Sequence, residues 1–204
     1  MSFYRFARAV MGVYVKIFYR VEYFGRENEP SPDVPTIVLS NHSSFIDPVF
    51  TAKAVRRDLT FIAKSTLAEH FPLGLLLKLC RAVTIRRGES DVQAVRTVCG
   101  ELASGKSLGI YPQGTRMPGV VPSPEQALAG VGLMASRSKA ALLPVAICCG
   151  KNKKGKPCIF RKVRVYVGKP VYYDEYSSAG ERGSSHEIAR YGFAKVCELY
   201  EKYN

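Results

Sequence analysis

Short apolar runs of strand length alternate with helical patterns along most of this chain, and that alternation limits the fold more than any other feature. The runs are residues 36–39, 59–63, 82–85, 107–111 and 141–149. Between them, residues 49–57, 67–79, 91–104 and 126–137 read as helices, clearest where Val92, Val95, Val98 and Leu102 recur at helical spacing. Alternation of this kind predicts an α/β fold: a mixed, mostly parallel sheet flanked by helices. Residues 162–167 are expected to return beside 141–149 as a hairpin across a basic turn at 151–156. Residues 174–185 read as loop and 187–203 as a closing helix. At 204 residues one domain is the default. The boundaries expected are an N-terminal helical segment over 1–25 and a single α/β domain over 26–204, entered through a loop with three prolines at 26–35.

The first strand runs directly into Asn41-His42-Ser43-Ser44-Phe45-Ile46-Asp47-Pro48. The carboxyl ends of strands are where α/β sheets place their chemistry. His42 can act as a general base near neutral pH. Asp47 can fix the imidazole tautomer and stabilise the imidazolium. On a uniform helix the two would lie roughly 140° apart, so they meet only if the chain turns between them. A structural reading stands beside this one: Ser44-x-x-Asp47 has the form of a capping box, and Pro48 suits a first helical turn.

Lys64, Arg87 and Arg116 also follow strands, which suggests an anionic pocket, since fixed cations recognise phosphate. In so basic a chain, net +13, each could equally be a solvated surface group. The charge implies an acidic partner. Residues 3–21 read as one helix, with Arg5, Arg8, Lys16 and Arg20 on one arc and Phe3, Phe6, Val10, Val13, Tyr14, Ile17, Phe18 and Val21 opposite. Such a helix fits a membrane interface, or it packs on the core. Its longest uncharged run, 9–15, is far below the ~20 residues of a span. The segment 67–79 is apolar and reads as core, or as a surface for an acyl chain or lipid. Six scattered cysteines show no metal-ligand spacing and read as reduced core thiols. Gly105-Lys106-Ser107-Leu108-Gly109 has the nucleophile-elbow pattern but runs helix to strand, the wrong way round. Gly130-Val131-Gly132 with Ala135 imitates a dinucleotide fingerprint inside a helix. His70 and His186 read as structural.

Asn-His-x-Ser-x-x-Asp resembles the signature block of the glycerolipid acyltransferases, most closely their lysophosphatidic acid branch. Thr84-Ile85-Arg86-Arg87 resembles their second block, with Arg81 where the family usually starts with Gly. Gln113-Gly114-Thr115-Arg116 resembles the third, which usually begins with Glu. Leu143-Pro144-Val145 resembles the fourth, and Lys64 falls on a basic position that helps hold the acceptor's phosphate. The blocks occur in order over about half the chain.

The resemblance implies an enzyme that moves a fatty acyl group from acyl-coenzyme A or acyl carrier protein to the sn-2 hydroxyl of lysophosphatidic acid, giving phosphatidic acid. It assigns the base to His42, its partner to Asp47, and phosphate binding to Lys64, Arg87 and Arg116. Asn41, Ser44, Gln113, Gly114 and Thr115 would support them, with amides near Gly114 as the suggested oxyanion donors. No cofactor or metal is expected, and no nucleic acid. The expected location is the cytoplasmic face of a membrane, held peripherally through an anionic surface. The alternatives are another lysophospholipid or lipid alcohol as acceptor, or a basic peripheral module without chemistry that binds membrane or nucleic acid.

Overall fold

A computed structural model of the chain describes residues 3–64, 82–85, 91–149, 162–178 and 184–204. In chain order the elements are α1 (Phe3–Phe18), β1 (Arg20–Phe24), β2 (Thr36–Ser40), α2 (Asp47–Ala54), β3 (Leu59–Lys64) and β4 (Val83–Ile85). There follow α3 (Asp91–Ala103), β5 (Ser107–Ile110), α4 (Ala129–Ser138), β6 (Ala141–Cys149), β7 (Lys162–Val167), α5 (Tyr173–Ser177) and α6 (Ser185–Tyr203). The strands form a seven-stranded sheet in the order β1-β7-β6-β2-β5-β3-β4. Every neighbouring pair is parallel except β6–β7, which is antiparallel. The sheet is therefore mixed and mostly parallel, as the alternation predicts.

Side-chain alternation along the central strands divides the core into two layers. Ile37, Leu39, Leu142, Ala146 and Cys148 face α3, α4 and α6. Val38, Leu143, Val145 and Ile147 face α1 and α2. Cys148 and Cys149 accordingly lie on opposite sides of the sheet. Because β2, β3, β4, β5 and β6 all run the same way, their carboxyl ends share one edge. The turns after β2 and β5 meet there.

Three local expectations are corrected. The helix expected over 3–21 stops at Phe18, and Arg20–Phe24 is a strand pairing in register with Lys162–Tyr166. Its partner lies some 140 residues downstream, so no local pattern could announce it. The loop expected at 174–185 includes the helical turn α5, pinned by fully buried Tyr176, whose hydroxyl hydrogen-bonds the carbonyls of Ala135 and Ala140 at 3.0 and 2.8 Å. Helix α2 begins at Asp47 rather than at Val49. The hairpin expectation holds for β6 and β7, while the turn at 151–156 lies outside the described residues, as do the segment 67–79 and His70.

The decoy motifs find structural roles. Ser107 opens β5 and its hydroxyl accepts from the Arg57 guanidinium at 3.0 Å, so no elbow forms. Gly132 lies where α4 and α6 approach closely: a Cβ there would collide with the Ser185 carbonyl. Arg57 itself is nearly buried, paired with Glu29 at 2.9 Å, and donates to the carbonyls of Pro30, Ser31 and Val34. This arginine thereby fastens the proline-rich loop to the end of α2.

Candidate active site

Asn41, the first residue after β2, is buried, and its amide replaces a strand backbone. Its Oδ1 accepts from Ile147 N at 2.8 Å and its Nδ2 donates to Ile147 O at 3.0 Å. That pairing extends the β2–β6 ladder by one residue and sets where the next residue leaves the sheet. His42 comes next, and the chain turns through Ser43–Ile46 before α2 starts at Asp47. The turn brings His42 and Asp47 together: Nδ1 lies 2.9 Å from Asp47 Oδ2. The same Oδ2 accepts from the amides of Ser43 and Ser44, both at 2.7 Å. Half of the expected capping box is therefore real, with the carboxylate reaching back to main-chain donors. No capping hydrogen bond comes from the N-cap residue, Ile46.

This arrangement has a chemical consequence. Oδ2 takes donors only, so His42 presents Nδ1–H to it and keeps the lone pair on Nε2. Asp47 is fully buried and the His42 side chain is 17% exposed, which leaves the imidazole as the member of the pair open to a reactant.

The loop after β5 closes on the main chain of His42. Its N–H donates to Gln113 Oε1 at 2.8 Å, and its carbonyl accepts from Met117 N at 2.8 Å. The Gln113 side chain then donates through Nε2 to Gln126 Oε1 at 2.7 Å. Gln126 Oε1 also accepts from Ser123 N at 3.3 Å, and its Nε2 donates to Val121 O at 3.3 Å. Each amide orientation follows from a neighbour whose role is fixed, starting from the His42 N–H. A carboxylate at 113 could accept from His42 but could not donate to Gln126, so the Gln126 orientation seen here matches Gln113.

Arg116 is exposed at the rim, its guanidinium carbon 6.0 Å from the Phe45 ring centroid. The loop after β5 thus reaches the His42 turn, and Thr115 is exposed beside it. Gly114 adopts φ 64°, and its N–H donates to Tyr111 O at 2.9 Å, which engages this amide in the turn rather than offering it to an oxyanion. Lys64 ends β3, in register with Ile85 at the end of β4, so its main chain lies at the same sheet edge. Arg87, two residues beyond β4, lies outside the described residues. Burial, together with the nearby Asp47 charge, pushes the Cys149 thiol up to about 12, so it stays protonated and is no nucleophile.

Gln126, Met117, Thr51 and Tyr111 were not singled out by motif. Thr51 stands four residues after Asp47 on α2, and its hydroxyl donates to the Asp47 carbonyl at 3.0 Å. That spacing was the one signal available. Gln126 reaches the site across a loop of no regular period, and nothing local marks it. Among the described residues no cluster of His, Cys, Asp and Glu could hold a metal ion.

Comparison with known proteins adds to this geometry. The 1-acyl-sn-glycerol-3-phosphate acyltransferase of Bacillus subtilis is 25% identical over 180 residues, 85% of each chain. A chloroplastic 1-acyl-sn-glycerol-3-phosphate acyltransferase of Arabidopsis thaliana is 28% identical over 163 residues, 76% of this chain and 44% of that one. The chain thus spans less than half the length of that plant relative, and 46% of a similar one from Brassica napus. The crystal structure of the 1-acyl-sn-glycerophosphate acyltransferase PlsC from Thermotoga maritima shares the fold. Its TM-score is 0.70 over 99% of this chain and 78% of that one, at 23% identity. A family model described as Acyltransferase matches residues 20–148, more than half of the chain and every residue of the site above. This chain belongs to the acyltransferase family.

Proposed function

We propose that this protein transfers a fatty acyl group from an acyl thioester, coenzyme A or acyl carrier protein, to the sn-2 hydroxyl of lysophosphatidic acid. The observation that carries the reading is the hydrogen bond from His42 Nδ1 to the buried Asp47 carboxylate, which directs Nε2 outward as a base. His42 takes the hydroxyl proton as the oxygen attacks the thioester carbonyl. The tetrahedral intermediate collapses, the C–S bond breaks, and the departing sulfur takes that proton as a thiol. Asp47 stabilises the imidazolium between the two steps. No covalent acyl-enzyme is needed when both substrates meet in one site.

The choice of acceptor rests on the names of the relatives. Arg116, Lys64 and Arg87 take its phosphate in this reading, with Arg116 at the rim of the His42 turn. Support for a peripheral membrane position comes from α1. Arg8, Val15 and Tyr19 dock it: Arg8 donates to the Arg56 carbonyl at 2.9 Å, and Val15 and Tyr19 are buried. Val10, Val13, Tyr14 and Ile17 remain exposed on another face, as an interfacial helix requires. Among the described residues no helix is long and apolar enough to cross a membrane. A module that only bound anionic lipid would use α1 and the charge, but it would leave the His42–Asp47 pair without a purpose.

The test is an assay of the pure protein with acyl-coenzyme A or acyl carrier protein and lysophosphatidic acid, reading thiol release and phosphatidic acid together. Stoichiometric production of both is the expected result. Failure with either donor, over a panel of lysophospholipid and lipid-alcohol acceptors, would contradict the reading.

A further inference from the structure

The His42 ring is held from two directions. Asp47 grips it in the ring plane at Nδ1. Tyr111, on the loop after β5, covers one face, with ring centroids 4.1 Å apart and planes within 17°. Phe61 of β3 lies nearly parallel to Tyr111, at 12° and with ring centroids 6.3 Å apart. Gly109 makes room for that ring, because a Cβ there would run into Phe61. Tyr111 is therefore ring-parallel both to His42 and to Phe61.

The Tyr111 hydroxyl is also anchored. It lies 3.1 Å from Thr51 Oγ1, whose own proton goes to the Asp47 carbonyl, so Tyr111 is the donor of this pair. Asp47 and Tyr111 are thus tied to the same turn of α2. Desolvation, assisted by the Asp47 charge, raises the Tyr111 phenol well above its ordinary value, so the ring stays neutral. A neutral phenol presents a negative π face, which attracts a cation lying over it.

We propose that Tyr111 is a positioning residue for the His42 base: its ring, fixed by Thr51 and parallel to Phe61, stabilises the imidazolium formed during acyl transfer and keeps the imidazole in the plane that Asp47 requires. The inference rests on the reading of His42 as base. Of the other groups around the pair, Tyr19 near α1 and Cys149 of β6 feel the Asp47 charge. Burial raises both, so they stay neutral over the working range. Arg116 stands at the rim beside Phe45.

The experiment measures kcat, acceptor KM and the pH dependence of kcat/KM for wild type, Tyr111→Leu, Tyr111→Phe and Thr51→Val, each checked by thermal melting. Tyr111→Leu removes the ring face, so kcat falls roughly 5- to 30-fold. Acceptor KM stays near wild type, because nothing that holds the acceptor has changed. The acid limb of the profile moves down by about one pH unit, since an imidazolium without its ring partner loses its proton more readily. Tyr111→Phe keeps the ring and therefore the wild-type acid limb, with kcat only a few-fold lower. A folded Tyr111→Leu with wild-type kcat and an unmoved acid limb overturns the inference. Should Tyr111→Leu not fold, Tyr111→Phe and Thr51→Val decide it: wild-type kcat in both overturns it, and a few-fold loss at unchanged KM in both supports it. His42→Ala separates the two readings. If His42→Ala retains wild-type turnover, the base reading fails. If it is inactive while Tyr111→Leu is silent, only the Tyr111 inference fails.

Discussion

Asp47 does two jobs with one oxygen: Oδ2 ties down the turn through the amides of Ser43 and Ser44 and orients His42. Oδ1 is buried and has no hydrogen-bond partner among the described residues, so the carboxylate depends on that one oxygen and on its place at the start of α2. Asp47→Asn should keep the shape, because its amide oxygen can accept the three donors that Oδ2 takes, but it removes the charge that stabilises the imidazolium and should lower turnover by roughly 10²–10⁴-fold in a folded sample. Steady-state kinetics beside circular dichroism check this. Gln113 supports a second residue-scale prediction. Gln113→Glu removes the donor to Gln126 Oε1, so Gln126 must turn its Nε2 to the carboxylate and give up its bonds to Ser123 N and Val121 O, which should destabilise the fold by about 1 kcal/mol in urea denaturation. Adding Gln126→Lys should restore part of that loss. For Arg116, Ala should reduce efficiency with the acceptor by tens- to thousands-fold at saturating donor, while Lys rescues only partly because a point charge lacks the guanidinium fork. Unchanged acceptor efficiency in Arg116→Ala would remove it from the site.

Helix α1 shows how far an element can be read from its pattern. The apolar stripe was legible, and most of it is exposed: Val10, Val13, Tyr14 and Ile17 face outward. The basic arc was legible as residues but not as roles. Arg8 turns inward to the carbonyls at the end of α2 and pairs with Asp58 at 3.6 Å, and carbonyl acceptors 47 to 49 residues away leave no local signature. The long-range element β1 escaped for the same reason. By contrast, β2, β3, β5 and β6 were visible as apolar runs, since a strand buried on both faces needs no alternation. The His42–Asp47 contact was legible from residue type and the turn between them, whereas the Gln113–Gln126 bridge was not. Paired substitutions separate the two faces of α1. Val13→Glu with Ile17→Glu should abolish binding to vesicles containing anionic lipid without lowering the melting temperature. Val15→Ala, at a buried position, should instead destabilise by about 1–3 kcal/mol and leave vesicle binding intact. Equal vesicle binding by the double Glu variant would remove α1 from the membrane contact.

For the whole molecule, charge and buried thiols set the behaviour with salt and pH. A net charge of +13 predicts that attraction to anionic vesicles weakens as salt is raised. Burial pushes the thiols of Cys148, Cys149 and Cys197 from their ordinary 9.0 up to about 12. Above about pH 9 the unfolded chain releases these protons while the native state keeps them. Stability contributed by the protonated thiols is therefore complete below 9 and lost as pH rises towards 12. The urea midpoint should fall across this window, and replacing the three cysteines with Ala or Val should lessen the fall, the rest belonging to Tyr23, Tyr111, Tyr176 and Tyr200, whose phenols burial also raises. All of this concerns a scaffold whose shared strand edge brings His42 of the β2 turn to the acidic start of α2. The most direct test of that arrangement as an acyltransferase site compares wild type with His42→Ala, measuring thiol release from an acyl thioester in the presence of lysophosphatidic acid. The account predicts turnover by wild type and a loss of roughly 10²–10⁴-fold in the variant, with melting temperature unchanged. Turnover by a folded His42→Ala within a few-fold of wild type would contradict it.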